Sequence, residues 1–205
     1  MFITRNRIMF TFAAATLALA GCGDDSADDT SATTTQTGSP TTSATAATRS
    51  DFNDADVMFL QMMYPHHEQA VDMAEMVPQR SQNPELLALA TAIEQAQGPE
   101  MQQMSALLQS FGKPAPTDGD HGDHGDHQMP GMMSDEQMDA LEAANGEEFD
   151  RMWLEMMIAH HQGAIDMADT EITDGQNADA KALAESIKTT QQAEIDQMNG
   201  MLGGR

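Results

Sequence analysis

Residues 58–68 read Met-Phe-Leu-Gln-Met-Met-Tyr-Pro-His-His-Glu, and residues 152–162 read Met-Trp-Leu-Glu-Met-Met-Ile-Ala-His-His-Gln, so one unusual block occurs twice at an offset of 94 positions. Side chains four positions apart lie on one face of a helix. Each block is therefore expected to present a stripe of thioether and imidazole groups. The candidate metal ligands are Met62, Met63, His66, His67 and Met73 in the first copy and Met156, Met157, His160, His161 and Met167 in the second.

The same offset relates the residues around these blocks, which indicates an internal duplication. No gap is needed across two successive amphipathic segments in each half. The matching pairs are Asp56 with Asp150, Ala70 with Ala164, Leu89 with Leu183, Ile93 with Ile187, Gln97 with Gln191, Glu100 with Glu194 and Met104 with Met198. Two helical hairpins with one apolar face each bury those faces together, so we predict an all-α four-helix bundle over residues 51–205.

Prolines set two expectations about the first hairpin. Pro78 and Pro84 are expected to bracket the turn between its helices. Proline lacks the amide donor and clashes with the preceding helical turn. We therefore expect a kink or break at Gly98-Pro99, inside the second helix.

The composition excludes several classes of partner. The 205 residues include 33 Asp and Glu against nine Lys and Arg, a formal net charge of −24. Nucleic-acid phosphates need basic partners, so nucleic acid is not expected to bind. Electrostatic docking on anionic lipid is disfavoured for the same reason. Methionine is abundant, with 19 residues, whereas aromatic residues make up 4% of the chain, which suits a small helical core.

Residues 1–21 have the pattern of an export signal, in which two arginines precede an apolar run too short to span a membrane. The run ends in Leu19-Ala20-Gly21-Cys22, which resembles a bacterial lipobox. We expect acylation of Cys22 and a lipid anchor facing the extracytoplasmic side, without a membrane span. The alternative is a plain secreted protein. Cys22 is the single cysteine, so an intrachain disulfide is excluded.

Two segments lack the apolar periodicity of the bundle. Residues 22–50 are rich in Gly, Asp, Ser, Thr and Ala and are expected to form a disordered tether. Residues 113–134 are rich in Gly and Asp and are expected to form a surface loop. Short His-rich tracts often bind metal, although a hydrophilic linker with incidental histidines is the alternative. The candidate loop ligands are His121, His124 and His127.

The ligand types favour a soft metal. Thioether and imidazole groups suit Cu(I) and Ag(I) better than zinc, manganese or magnesium. Neither block contains the Glu-x-x-His motif of di-iron bundles. The chain also lacks a Gly-rich phosphate loop and a Gly-x-Ser-x-Gly motif. Methionine commonly fills core gaps, so an ordinary core is the competing interpretation of the stripe. The duplication, the His-rich loop and the export signal favour metal.

The duplicated blocks resemble the bacterial DUF305 family over roughly residues 52–202. The motifs are Asp56-x-x-Phe59-x-x-Met62-Met63-x-Pro65-His66-His67 and Asp150-x-x-Trp153-x-x-Met156-Met157-x-x-His160-His161. The resemblance implies a ferritin-like four-helix bundle. It also implies an exported copper-binding protein linked to copper tolerance, with both His-His pairs as functional positions and the Met-Met pairs beside them.

These observations lead to one main functional hypothesis. The chain is expected to be a lipid-anchored, extracytoplasmic protein that sequesters Cu(I) or Ag(I), or exchanges copper with a donor or acceptor protein, without catalysis. Metal affinity is expected to weaken below about pH 6, where an ordinary imidazole protonates. The alternatives are a redox enzyme with a copper or iron centre and an envelope interaction scaffold that binds no metal.

Overall fold

The computed structural model describes residues 49–116 and 129–204, and this part of the chain is helical, without β-strands. Its helices are α1 (Asp54–Arg80), α2 (Pro84–Ser110), α3 (Asp135–Ala143), α4 (Gly146–Asp174) and α5 (Ala178–Gly203). The hairpin α1–α2 packs against the hairpin α4–α5, mainly through α1 and α4. The prediction of an all-α fold is confirmed. The expected signal segment, Cys22 and the three loop histidines lie outside the described residues.

Asparagine side chains fix the starts of three long helices. Asn53, Asn83 and Asn177 each accept hydrogen bonds from backbone N–H groups in the first turn of α1, α2 and α5. Such a cap contributes roughly 1 kcal/mol. The buried Asp56 carboxylate completes the first cap and also accepts from the backbone N–H groups of Gln176 and Asn177. It therefore ties the start of α1 to the turn before α5.

The turn of the first hairpin lies between Pro78 and Pro84, as expected. It is formed by residues 81–83, after Pro78 in the last turns of α1 and before Pro84 begins α2. The expected break at Gly98-Pro99 is absent, since α2 continues through it. Pro99 lies on the exposed side of α2. Proline has no backbone N–H, so one carbonyl in the preceding helical turn loses its hydrogen bond. Because this side of α2 faces solvent, the loss costs less stability than it would in the core.

Helices α1 and α4 form the central antiparallel pair. The His66 ring lies against the His160 ring, and the Trp153 indole N–H donates to the Met73 carbonyl at 2.8 Å. Residue numbers of the contacting positions therefore increase along α1 while they decrease along α4, as expected for antiparallel helices. This pattern places the pseudo-twofold axis that relates the two copies close to His66 and His160.

Residues 129–143, at the end of the linker that joins the two copies, pack on the bundle, whereas a surface loop was expected over residues 113–134. Met133 is buried, and its backbone N–H and carbonyl both hydrogen-bond the Gln69 side-chain amide, at 2.8 and 2.9 Å. Helix α3 was not predicted, and it buries Leu141 in the core cluster that contains Phe149. Apolar residues at well-spaced positions of a polar linker therefore cover part of the α1–α4 groove.

The packed region begins slightly earlier than expected. The Arg49 backbone N–H donates to the Ser110 carbonyl at 3.1 Å, and its guanidinium binds Asp51 and Asp179. Arg49 therefore belongs to the bundle rather than to the predicted tether. No helix in the described ranges combines the length and apolar character needed to cross a bilayer.

Candidate metal centre

The duplication brings two histidines face to face at the middle of the bundle. His66 on α1 and His160 on α4 have ring centroids 3.8 Å apart, with an interplanar angle of 39°. Both side chains are fully buried, as are His67 and His161 beside them. The two His-His pairs therefore share the bundle interior, and their use as metal ligands remains a prediction.

Hydrogen bonds fix the tautomers of three rings. The Nε2–H of His66 donates to the Pro130 carbonyl at 2.9 Å, because a carbonyl oxygen can only accept. The Nε2 atoms of His67 and His161 each lie 2.8 Å from a carboxylate oxygen, of Glu100 and Glu194 respectively. In the neutral ring this arrangement leaves Nδ1 with a free lone pair, the form that binds a metal.

The remaining ring nitrogens are buried without a partner. Nδ1 of His66, His67 and His161, and both ring nitrogens of His160, make no hydrogen bond within the described part of the chain. Each buried polar atom left unpaired costs about 1–3 kcal/mol. Lone pairs held in this way are suited to a soft cation, which would replace the missing partners.

Burial keeps the central histidines neutral. It lowers the pKa of His66 from 6.5 to about 3, against the raising effect of the hydrogen bond to Pro130. The pKa of His160 also lies well below its usual value, again chiefly because of burial. The expected loss of affinity below about pH 6 assumed an ordinary imidazole. Because burial lowers the pKa of both His66 and His160, these rings stay unprotonated at pH 6. The loss of metal affinity is therefore expected at a lower pH.

Two carboxylates of the site were missed by the sequence interpretation. Glu100 on α2 and Glu194 on α5 hold His67 and His161, and their side chains are only 15% and 12% exposed. A carboxylate that accepts the second N–H of a histidine is a common device for orienting a metal ligand. The sequence contained one signal for these two residues, since a glutamate within an apolar helical stripe recurs at the 94-residue offset.

The methionines occupy several environments. Met63, Met73 and Met157 are fully buried within apolar core clusters, and Met156 and Met167 are 9% exposed. Met62 is partly buried. Within the described residues, no three His, Cys, Asp or Glu side chains form a ready metal cluster. A metal centre built from these described residues would therefore include thioether ligands or use fewer than three imidazole and carboxylate ligands.

Comparison with known proteins agrees with the motifs. The family model described as domain of unknown function DUF305 matches residues 56–202. A DUF305 protein from Streptomyces coelicolor is 29% identical, with a TM-score of 0.66 over 73% of this chain and 93% of that one. A DUF305 fragment from Deinococcus radiodurans is 34% identical, with a TM-score of 0.65 over 75% and 98%.

Structures of CopM are also similar to this chain. The Cu(I)-bound form is 35% identical, with a TM-score of 0.60 over 73% of this chain and 96% of CopM. CopM has also been solved with Ag and with Cu(II) bound. No functionally curated protein matches this chain.

Proposed function

This chain belongs to the DUF305 family, and from that premise and the geometry of its histidines we propose that it binds Cu(I) and Ag(I) outside the cytoplasm. The proposed ligands are drawn from the four bundle histidines and the methionines beside them. The protein would sequester copper or exchange it with a donor or acceptor protein, and so contribute to copper tolerance. No catalytic step is required.

The observation that carries this proposal is the group of buried imidazole nitrogens without hydrogen-bond partners. A purely structural histidine normally has its buried ring nitrogens paired. Here Glu100 and Glu194 orient two rings while leaving Nδ1 of each unpaired. The thioethers in the same two sequence blocks favour soft monovalent ions over zinc or magnesium. The metal-bound forms of CopM, at 35% identity for Cu(I), support the same choice.

Export and anchoring are part of the proposal. The apolar run ending in Leu19-Ala20-Gly21-Cys22 supports cleavage before Cys22 and lipidation of its thiol. Labelling cells with a fatty-acid probe should mark the full chain but not the Cys22→Ala variant. Equal labelling of both proteins would exclude the lipid anchor without affecting the metal proposal.

Silver titration of the full chain tests the metal proposal. Every protein should carry Cys22→Ser, because a free thiol would itself bind silver. One variant replaces His66, His67, His160 and His161 with Ala, and its matched control replaces the loop residues His121, His124 and His127 with Ala. Circular dichroism would verify that each variant keeps its helices.

The bundle variant should lose the silver that resists a competing chelator, with affinity falling by about tenfold or more, as expected for disruption of a metal site. The loop variant should keep that silver. The same titration with Cu(I) under anaerobic conditions should also show a loss of tightly bound metal in the bundle variant and not in the loop variant. Retention of chelator-resistant metal by a folded bundle variant would contradict the proposal for the bundle.

A further inference from the structure

The groove between α1 and α4 has an open half, which we call the open cleft. It is lined by the methionines Met58, Met62 and Met167, with Pro130 and Glu171 beside them. Its volume is about 190 Å³. Met58 is 60% exposed, and among the described residues it is the one large apolar side chain that is exposed to solvent. An exposed thioether at the mouth of a methionine-lined cleft is not explained by core packing.

The duplicated positions in the other half are covered. At the 94-residue offset, Met152 and Met156 correspond to Met58 and Met62, and Met73 corresponds to Met167. These three side chains belong to, or pack against, a core cluster that also contains Met133 and Leu141 of the linker. Met167 and Met62 also belong to or pack against a core cluster, so the difference between the halves lies chiefly in Met58. Met58 is exposed at the cleft, whereas its counterpart Met152 packs partly buried against the core.

The polar wall also differs between the halves. Glu171 lines the open cleft, whereas its counterpart at the same offset is the apolar Val77. Glu171 is 1% exposed, and neither carboxyl oxygen accepts a hydrogen bond from an N–H group of the described residues. This carboxyl group distinguishes the polar wall of the open cleft from the apolar wall of the covered half.

The cleft reaches the buried histidines through one residue. Pro130 lines the cleft, and its carbonyl accepts the hydrogen bond from His66. His66 and His160 are themselves fully buried, so a metal must pass other groups to reach them. Thioethers bind Cu(I) and Ag(I) while remaining unprotonated at any biological pH, which suits them to the first capture of the ion.

We propose that Met58, Met62 and Met167 form a separate, all-thioether loading site for Cu(I) or Ag(I), which fills before the buried histidines. Met58 and Met62 are one helical turn apart on α1, and Met167 faces them from α4, so three sulfur ligands come from two helices. This inference rests on the proposed function. It adds Met58 as a ligand and a route by which metal reaches the buried histidines.

The test compares two matched triple variants of the full chain in the Cys22→Ser background. The cleft variant carries Met58→Leu, Met62→Leu and Met167→Leu. The control carries the equivalent changes in the covered half, Met73→Leu, Met152→Leu and Met156→Leu. Leucine keeps the apolar volume but removes sulfur, so each change should cost less than about 1.5 kcal/mol. Silver binding is followed through the methyl signals of methyl-¹³C-methionine.

In the unmodified sequence, substoichiometric silver should first shift the methyl signals of Met58, Met62 and Met167. The cleft variant should bind this first silver about tenfold more weakly or worse. The control should bind the first silver as tightly as the unmodified sequence does, since loss of Met73 and Met156 would affect only silver that binds later. First shifts in the covered half, or equal losses in both variants, would overturn the inference.

The variant that lacks the four bundle histidines separates this inference from the proposed function. It should lose the chelator-resistant silver but still show the first methyl shifts at the cleft. Loss of the cleft shifts in this folded variant would mean that the thioethers do not form a separate site. Absence of silver binding to the unmodified sequence would overturn both proposals together.

Discussion

The two halves of the α1–α4 groove carry the same methionine pattern but have different surroundings. In one half Met73 and Met156 are buried in the core cluster that also contains Met133 and Leu141, and the partly buried Met152 packs against it. In the other half the equivalent residues border the open cleft, where Met58 is 60% exposed. Duplication thus supplied the same chemistry twice, and an unduplicated linker decided which copy solvent can reach.

This difference teaches that a repeated ligand pattern predicts chemistry better than it predicts access. A methionine stripe alone fits both a core and a metal site. In this protein both interpretations are structurally reasonable, each in its own half.

Gly163→Ala should have the largest effect, because it targets the contact between the linker and α4. A Cβ atom at this position would lie 2.0 Å from the Pro130 carbonyl oxygen, so the linker backbone would have to move. We expect a loss of about 1–3 kcal/mol in the free energy of unfolding, measured by urea denaturation.

Gly200→Ala is the matched control for Gly163→Ala. It also lies inside a helix, but a Cβ atom there would meet nothing within 4 Å. Alanine should stabilise the protein by roughly 0.5–1 kcal/mol, since glycine is unfavourable within a helix. Equal stability of the two variants would show that the linker is not seated on α4 as described.

The histidine–carboxylate pairs should respond equally in the two halves. Glu100→Ala and Glu194→Ala each leave the buried Nε2–H of a histidine without its 2.8 Å acceptor. Each should cost about 1–3 kcal/mol in urea denaturation, and the Gln variants, which keep an acceptor, should cost less. A large difference in stability between the two Ala variants would mean that the linker also affects these histidine–carboxylate pairs.

Trp153→Phe tests the hydrogen bond that joins α4 to α1 in the covered half. It removes the indole N–H that donates to the Met73 carbonyl at 2.8 Å in a buried environment. The expected loss is about 0.5–1.5 kcal/mol, measured by chemical denaturation. The equivalent residue in the open half, Phe59, has no such donor, so Phe59→Leu serves as a control for lost aromatic packing alone. An unchanged stability for Trp153→Phe would argue against a structural role for this bond.

Stability of the metal-free protein should peak at mildly acidic pH. Burial and the neighbouring Asp56 raise the pKa of Glu171 from 4.5 to about 8. The folded state therefore keeps a proton that the unfolded state releases, and stability falls as pH rises from about 4.5 to 8. Depression of the His66 pKa to about 3 has the opposite sign, so stability falls as pH drops from 6.5 towards 3.

Glu171→Gln separates these two contributions. Glutamine imitates the protonated acid and can donate to Asp56 without titrating. Thermal melts of the metal-free variant should lose the decline on the alkaline side and keep the decline on the acidic side. Unchanged alkaline behaviour would show that Glu171 does not carry this proton.

The sequence predicted much of the fold because repetition and helical spacing are local signals. The 94-residue offset located the hairpins and placed His66 opposite His160. It also contained Glu100 and Glu194, but without their partners a glutamate in an apolar stripe has no assigned role. The linker could not be predicted, since Met133 and Leu141 gain their meaning only from the groove that they cover.

The most direct test of this account is an anomalous difference map of crystals of the full chain loaded with silver. We predict silver beside the facing rings of His66 and His160 and within the open cleft at Met58, Met62 and Met167. In crystals loaded with limiting silver, the covered half, at Met73, Met152 and Met156, should remain empty. Silver in the covered half, or only outside the bundle, would contradict the account.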